Sequence, residues 1–148
     1  MLLNEDSIIL DCELKNKEEI IRYLASVALS TNRIVETEPY IQAVLHRESE
    51  FSTGVGYGVA IPHGKSIVVK EAFVLFCKVN QVDWKSLDDT LVNMIFMIGV
   101  PEQDTTNEHL KILALLSRKL MKEEFRLALS NSNTKEEVLS IFKQYELI

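Results

Sequence analysis

Two short apolar runs constrain the fold of this chain more than any other feature of its sequence. Residues 72–77 (AFVLFC) and 94–98 (MIFMI) are rich in strand-forming side chains. A strand without alternating polar residues is buried on both faces, so its sheet needs cover on both sides. Because helical patterns lie before and after these runs, the sequence predicts an α/β domain with helices on both faces of the sheet. The short link between residues 79 and 92 permits an antiparallel pair.

The first two helices are predicted from residues that favour helix starts. Asn16 and Glu19 have the spacing of a capping box, and apolar residues follow at helical intervals. A second helix is expected to begin near Thr37 with Pro39 in its first turn. This helix carries Arg47 close to its end.

Three more helices are expected in the last third of the chain. The first carries His109 in its opening turn, and a short helix follows over residues 123–129. Thr134 and Glu137 form a second capping box, which opens the last helix.

Length and composition indicate one soluble domain over residues 1–148. Apolar residues make up 47% of the chain and charged residues 26%, as in ordinary globular proteins. A formal net charge of −6 argues against binding to nucleic acid, which requires a basic face. No basic leader precedes an apolar stretch, and no apolar run approaches the roughly 18 residues of a membrane span. A cytoplasmic location is therefore expected.

The cysteines do not indicate a disulfide or a metal site. Cys12 and Cys77 are the only two, and they lack C-x-x-C spacing. Both are expected to be reduced thiols packed in the core.

A glycine-rich segment carries the most distinctive chemistry. Residues 54–64 (GVGYGVAIPHG) contain four of the five glycines, one of three prolines and one of three histidines. Glycine permits positive φ and close approach of the backbone, whereas proline stiffens a turn. The segment is interpreted as a backbone cradle that presents His63, the one side chain there that titrates near neutral pH.

Several familiar active sites do not fit. A P-loop ending at Gly64, Lys65 and Ser66 would need glycine at position 59, where Val59 stands. The three histidines lack the spacing of a metal-binding helix motif, and no G-x-S-x-G nucleophile elbow occurs.

Histidine as the nucleophile is the remaining chemistry. A neutral imidazole attacks a phosphoryl group and forms a phosphohistidine that can pass the group onward. Such a site needs amides or a cation around the phosphoryl oxygens. The glycine amides supply the first, and Arg47 can bind oxygens in a bidentate manner.

These motifs resemble a known family. Arg47-Glu48, three residues and then residues 52–64 are similar to the active-site signature of the fructose–mannitol type of enzyme IIA, from the bacterial phosphoenolpyruvate-dependent sugar phosphotransferase system. The similarity continues through residues 82–84 (VDW), 98–101 (IGVP) and 108–110 (EHL), and covers essentially the whole chain.

The resemblance implies a fold and a set of site residues. It implies a mixed sheet of roughly five strands between helices. His63 would accept and donate the phosphoryl group, His109 would position it and Arg47 would stabilise it. The phosphoryl-binding loop would comprise Thr53, Gly54, Gly56, Gly58 and Gly64.

The resemblance also implies partners and a process. The phosphocarrier protein HPr would be the donor, and a cysteine of enzyme IIB would be the acceptor during sugar uptake, with fructose-type sugars favoured. Contact with the membrane would be indirect, through enzyme IIC, and neither a cofactor nor a metal ion is expected. The alternative is a regulatory phosphohistidine module of the nitrogen type, which controls partner proteins instead of feeding transport.

Overall fold

The computed structural model of the protein describes residues 3–103 and 107–147. Within them a short 3₁₀ helix and six strands combine with five α-helices. The helices are α1 (Lys17–Ser30), α2 (Glu38–Glu50), α3 (Glu108–Leu120), α4 (Glu123–Ser130) and α5 (Lys135–Gln144). The strands are β1 (Ile8–Ile9), β2 (Gly54–Gly56), β3 (Val59–Ala60), β4 (His63–Ser66), β5 (Phe73–Val82) and β6 (Val92–Pro101).

The sheet is built around the two apolar runs. Strands β5 and β6 pair antiparallel, with Phe76 opposite Phe96. β1 runs parallel to β5, whereas β3 and β4 both run parallel to β6, and β2 closes an antiparallel hairpin with β3. The predicted mixed sheet is therefore confirmed, and the described residues contain six strands where roughly five were expected.

Two hydrophobic cores lie on opposite faces of this sheet. Leu75 and Cys77 of β5 pack with α1 and α2, whereas the alternate residues Val74 and Phe76 pack with α3, α4 and α5. Successive side chains of a strand point to opposite faces, so a strand apolar at every position feeds both cores. Helical cover on both sides follows from this pattern, as the sequence predicts.

The helix starts agree with the predicted caps. The side chain of Asn16 accepts a hydrogen bond from the Glu19 amide at 3.1 Å, and Thr134 Oγ1 accepts one from the Glu137 amide at 3.1 Å. Thr37 immediately precedes α2, and Pro39 lies in its first turn. The Asn16 and Thr134 side chains each satisfy an amide that the helix itself leaves without a partner, whereas the Thr37 side chain makes no such hydrogen bond.

Cys12 and Cys77 are buried, and neither forms a disulfide. Burial raises the pKa of the Cys77 thiol well above its usual range. Within residues 3–103 and 107–147, no helix has the length and apolar character needed to cross a membrane.

Candidate active site

His63 is the first residue of β4, and its ring is oriented by the backbone just before it. His63 Nδ1 lies 2.8 Å from the carbonyl oxygen of Ile61. A carbonyl oxygen only accepts, so Nδ1 must carry the proton in this hydrogen bond. In the neutral ring the lone pair is then on Nε2.

The path of the chain to His63 depends on the glycine-rich segment. Gly56, Tyr57 and Gly58 have φ values of 104°, 58° and 78° and form the turn between β2 and β3. The β2–β3 hairpin returns the chain to the residue just before β2, and there the Ile61 amide donates to the Thr53 carbonyl at 3.0 Å. Positive φ is the reason that glycine suits two of these positions.

The amides of this hairpin have acceptors within the chain. The Gly54 amide donates to Ser52 Oγ at 3.0 Å, and the Gly58 amide donates to Thr90 Oγ1 at 3.2 Å. Between them, the Tyr57 amide donates to Asp88 Oδ2 at 3.1 Å. These hydrogen bonds support the hairpin, so the amides are not directed outward as the cradle interpretation expects.

A cleft of about 410 Å³ opens beside His63. Among the described residues, Arg47, Thr53 and His63 line it together, whereas Gly54, Gly56, Gly58 and Gly64 do not. The structure thus brings one residue of the expected phosphoryl-binding loop into the cleft with the histidine and the arginine. The other described lining residues are Phe51, Ser52, Val55, Ile61, Leu87, Leu113 and Ser117.

Arg47 is fixed at the edge of the cleft by Phe51. Its Nη1 donates to the Phe51 carbonyl oxygen at 2.8 Å, and the guanidinium carbon lies 5.6 Å from the centroid of the Phe51 ring. A guanidinium has five N–H donors. The bond to Phe51 uses one of them and sets the direction of the others.

Thr53 is held in a buried network. Its hydroxyl donates to Glu48 Oε2 and accepts from Trp84 Nε1 at 3.2 Å, and its amide donates to Glu48 Oε1 at 3.2 Å. A hydroxyl has one proton, which is committed to Glu48 in this arrangement. In this arrangement the hydroxyl proton of Thr53 is therefore not directed to a phosphoryl oxygen.

Glu48 was not singled out from the sequence, although it follows Arg47 directly in the signature. Its side chain is only 5% exposed and forms an ion pair with Lys17, with 3.0 Å between Nζ and Oε1. The Lys17 ammonium also lies 5.3 Å from the centroid of the Trp84 ring. A buried carboxylate with this many partners is a structural element of the site.

His109 is the second residue of α3, as predicted, and its side chain lies outside the described residues. Leu113 and Ser117 follow at intervals of four residues along the helix, and both line the cleft. Residues spaced by four share a helix face. Position 109 is therefore on the face of α3 that borders the site.

The rim of the cleft is apolar and exposed. Phe51 is 69% exposed, Val55 45% and Leu87 77%. Exposed apolar side chains clustered around one opening are typical of a protein-binding surface. Within the described ranges, no group of three or more His, Cys, Asp or Glu side chains is placed to hold a metal ion.

Comparisons with known proteins agree with this fold and site. Residues 1–145 match the family described as "Phosphoenolpyruvate-dependent sugar phosphotransferase system, EIIA 2". The chain is 40% identical over 126 residues to the "PTS system fructose-like EIIA component" of Escherichia coli, covering 84% of each chain.

Two solved structures are also similar. The nitrogen regulatory protein IIA-Ntr from Neisseria meningitidis is 31% identical, with a TM-score of 0.87 and 95% of each chain covered. The second is the complex of enzyme IIAMTL and phosphorylated enzyme IIBMTL from Escherichia coli. The similar chain in it is 26% identical, with a TM-score of 0.81, and the match covers 96% of this chain and 97% of that chain.

A family match over nearly the whole chain, with agreement in fold, defines a component of a phosphotransfer system. The protein belongs to the EIIA type-2 family of the phosphoenolpyruvate-dependent sugar phosphotransferase system.

Proposed function

We propose that the protein is a phosphoryl carrier in sugar uptake, in which His63 accepts the phosphoryl group from phospho-HPr and donates it to a cysteine of enzyme IIB. The observation that supports this proposal most strongly is the hydrogen bond from His63 Nδ1 to the Ile61 carbonyl. Because this hydrogen bond keeps the proton on Nδ1, the lone pair of the neutral ring is on Nε2. No separate base is then needed to remove a proton from the attacking nitrogen. The fructose-like relative favours a fructose-type sugar.

Both transfers balance with no further reactant. In the first, Nε2 of His63 forms an N–P bond while the N–P bond of the HPr histidine breaks, and that electron pair returns to the HPr ring. In the second, a cysteine thiolate of IIB forms an S–P bond while the His63 N–P bond breaks. Nδ1 keeps its proton throughout both transfers, because the Ile61 carbonyl continues to accept the hydrogen bond from it.

Arg47 is the proposed partner of the phosphoryl oxygens. It lines the cleft with His63, and its bond to Phe51 leaves further N–H groups on the guanidinium. Charge-assisted hydrogen bonds to a phosphoryl group are stronger than neutral ones. His109, at the start of α3, is proposed to position the transferring group. The glycines contribute by shaping the hairpin that leads to His63.

The apolar rim is proposed to bind both protein partners in turn. Phe51, Val55 and Leu87 surround the cleft without closing it, so a partner's reactive residue can approach the histidine. The similar enzyme IIAMTL was solved in complex with phosphorylated enzyme IIBMTL, which supports IIB as the second partner here. Contact with the membrane would be indirect, through IIC.

A regulatory module is the second candidate. It is favoured by the similarity to the nitrogen regulatory protein, which has a TM-score of 0.87. In that case phospho-His63 would alter binding to a regulated protein. The two candidates differ in whether a IIB cysteine accepts the group.

The test is labelling with radioactive phosphoenolpyruvate through enzyme I and HPr, followed by addition of candidate IIB proteins. Wild type should acquire an acid-labile, alkali-stable label and lose it to a cognate IIB, whereas His63→Ala should acquire none. His46→Ala is the matched control, because His46 is exposed on α2 and does not line the cleft among the described residues. Stable labelling of His63→Ala would refute the proposal, and label that no IIB accepts would favour the regulatory candidate.

A further inference from the structure

Glu48 is a charged side chain that the proposed chemistry does not use, yet it is among the best-anchored groups near the site. Its two carboxylate oxygens accept from the amide and the hydroxyl of Thr53, and Oε1 also accepts from Lys17 Nζ at 3.0 Å. With 5% of its side chain exposed, little water can replace these partners. A carboxylate anchored in this way fixes the position of the groups that donate to it.

Thr53, which Glu48 holds, is connected to His63 through backbone atoms of Ile61. The Thr53 carbonyl accepts from the Ile61 amide at 3.0 Å, and the Ile61 carbonyl accepts from His63 Nδ1 at 2.8 Å. One residue, Ile61, therefore links Thr53 to the imidazole through two hydrogen bonds. A displacement of Thr53 shifts Ile61 and with it the oxygen that orients the ring.

The rest of the network fixes Thr53 from the other side. Trp84 is fully buried, and its Nε1 donates to Thr53 Oγ1 at 3.2 Å. Its carbonyl oxygen accepts from Ser52 Oγ at 2.5 Å. The segment before β2 is thus held on both sides, and Glu48 supplies the only charged contact to Thr53 among the described residues.

We propose that Glu48 is a positioning residue for His63: by holding the amide and hydroxyl of Thr53, it fixes, through Ile61, the carbonyl that keeps the imidazole proton on Nδ1. The effect on phosphoryl transfer rests on the proposed function of His63. The effect on the ring itself does not, because it exists in the unphosphorylated protein.

Three substitutions test this positioning. Glu48→Gln keeps the size of the side chain but replaces one acceptor oxygen with an NH₂ donor, so it cannot accept from the amide and the hydroxyl of Thr53 on two separate oxygens. Thr53→Val removes the hydroxyl at nearly constant shape, and Thr53→Ser restores it. Ser132→Ala is the matched control, because the buried Ser132 donates to the Leu129 carbonyl at 2.6 Å at the end of α4, away from the cleft.

Multiple-bond ¹H–¹⁵N spectra of the unphosphorylated proteins report which ring nitrogen of His63 carries the proton. Wild type should show mainly the Nδ1–H tautomer, and Glu48→Gln and Thr53→Val should lower its fraction. Phosphorylation by phospho-HPr should slow roughly 10- to 100-fold in both variants, as for small misplacements of a reacting group. Thr53→Ser should recover part of the rate and of the tautomer fraction, and Ser132→Ala should change neither.

Each result decides the matter. An unchanged tautomer and rate in folded Glu48→Gln and Thr53→Val would overturn the positioning role while leaving His63 as the phosphoryl acceptor. A wild-type ring protonated mainly on Nε2 would overturn it even if both variants fail to fold. Failure of phospho-HPr to label wild type would instead refute the proposed function, and the tautomer comparison would still decide whether Glu48 orients the ring.

Discussion

Gly64 packs directly against Val44: a Cβ atom on Gly64 would lie 2.9 Å from Val44 Cγ2 and 3.1 Å from the Val44 amide nitrogen. The absence of a side chain at position 64 therefore sets how closely β4 approaches α2. His63 precedes Gly64 in β4, and Arg47 lies one turn after Val44 in α2. The contact therefore helps to set the spacing between the two elements that carry the histidine and the arginine.

Gly64→Ala is expected to lower the free energy of unfolding by about 1–3 kcal/mol, the usual range for an added methyl group in a packed interior. It should also slow phosphorylation of His63, because α2 must move away from β4. Urea unfolding and labelling by phospho-HPr measure the two effects. Val44→Ala in the same chain removes Cγ2 and should recover part of the loss. Equal effects of the single and double substitutions would contradict this contact as the cause.

Gly56→Val is expected to destabilise the β2–β3 hairpin. Gly56 has φ of 104°, which β-branched residues avoid, and a Cβ there would lie 2.9 Å from Asp88 Oδ2. The expected loss in the free energy of unfolding is about 1–3 kcal/mol. Because the hairpin carries Ile61, the rate of phosphorylation should fall as well. Wild-type stability and rate in this variant would show that the turn does not need glycine at position 56.

His109→Ala is expected to retain phosphorylation on His63 but to slow transfer to IIB by about ten- to thousandfold, which corresponds to roughly 1.4–4 kcal/mol of barrier. The start of a helix disfavours a charged imidazolium, so a neutral donor is expected at this position. His109→Gln keeps a hydrogen-bond donor and should recover part of the rate. Rapid-quench measurement of transfer decides between this role and a purely structural one, for which His109→Ala would match wild type.

Asp88 should make the hairpin sensitive to acid. Hydrogen bonds from the Thr90 hydroxyl, and then from the Thr90 and Tyr57 amides, lower the pKa of Asp88 below its ordinary value. A group whose folded pKa is depressed contributes stability above its unfolded pKa, which is about 3.9, and this is lost as the pH falls through the folded pKa. The free energy of unfolding of wild type should therefore fall more steeply below about pH 4 than that of Asp88→Asn. Identical pH profiles would contradict this link.

Cys77 is expected to resist alkylation in the folded protein. Burial is the main reason that its pKa is raised, and the thiolate is the reactive form. Iodoacetamide at pH 8 should modify Cys77 only after the protein is unfolded in urea, as peptide mass spectrometry would show. Rapid modification under native conditions would mean that the core around β5 opens readily.

Much of the architecture could be predicted because it depends on local patterns. The apolar run at residues 72–77 requires two covered faces, and Asn16 and Thr134 start helices through their own neighbours. The strands β2, β3 and β4 could not be predicted in the same way, since glycine-rich segments show no periodicity. The pairing of β3 and β4 depends on β6, more than thirty residues further along the chain.

The candidate site shows the same division. The sequence motifs indicate Arg47 and His63, and both line one cleft. The side chains that accept from the hairpin amides were not predictable, because Asp88 and Thr90 are about thirty residues along the chain from the amides that donate to them. The role of Glu48 is likewise visible only once α2 and the segment before β2 are seen in contact.

The acceptor that orients His63 is a main-chain atom of Ile61. Every amino acid has a carbonyl oxygen, so replacement of the Ile61 side chain by another apolar one cannot delete this contact. Which ring nitrogen carries the proton therefore depends on the path of the backbone. A substitution of the Ile61 side chain does not change that acceptor. Vulnerability lies instead at positions that steer the route, so harmful substitutions are expected to accumulate at the turn and its anchors, outside position 61.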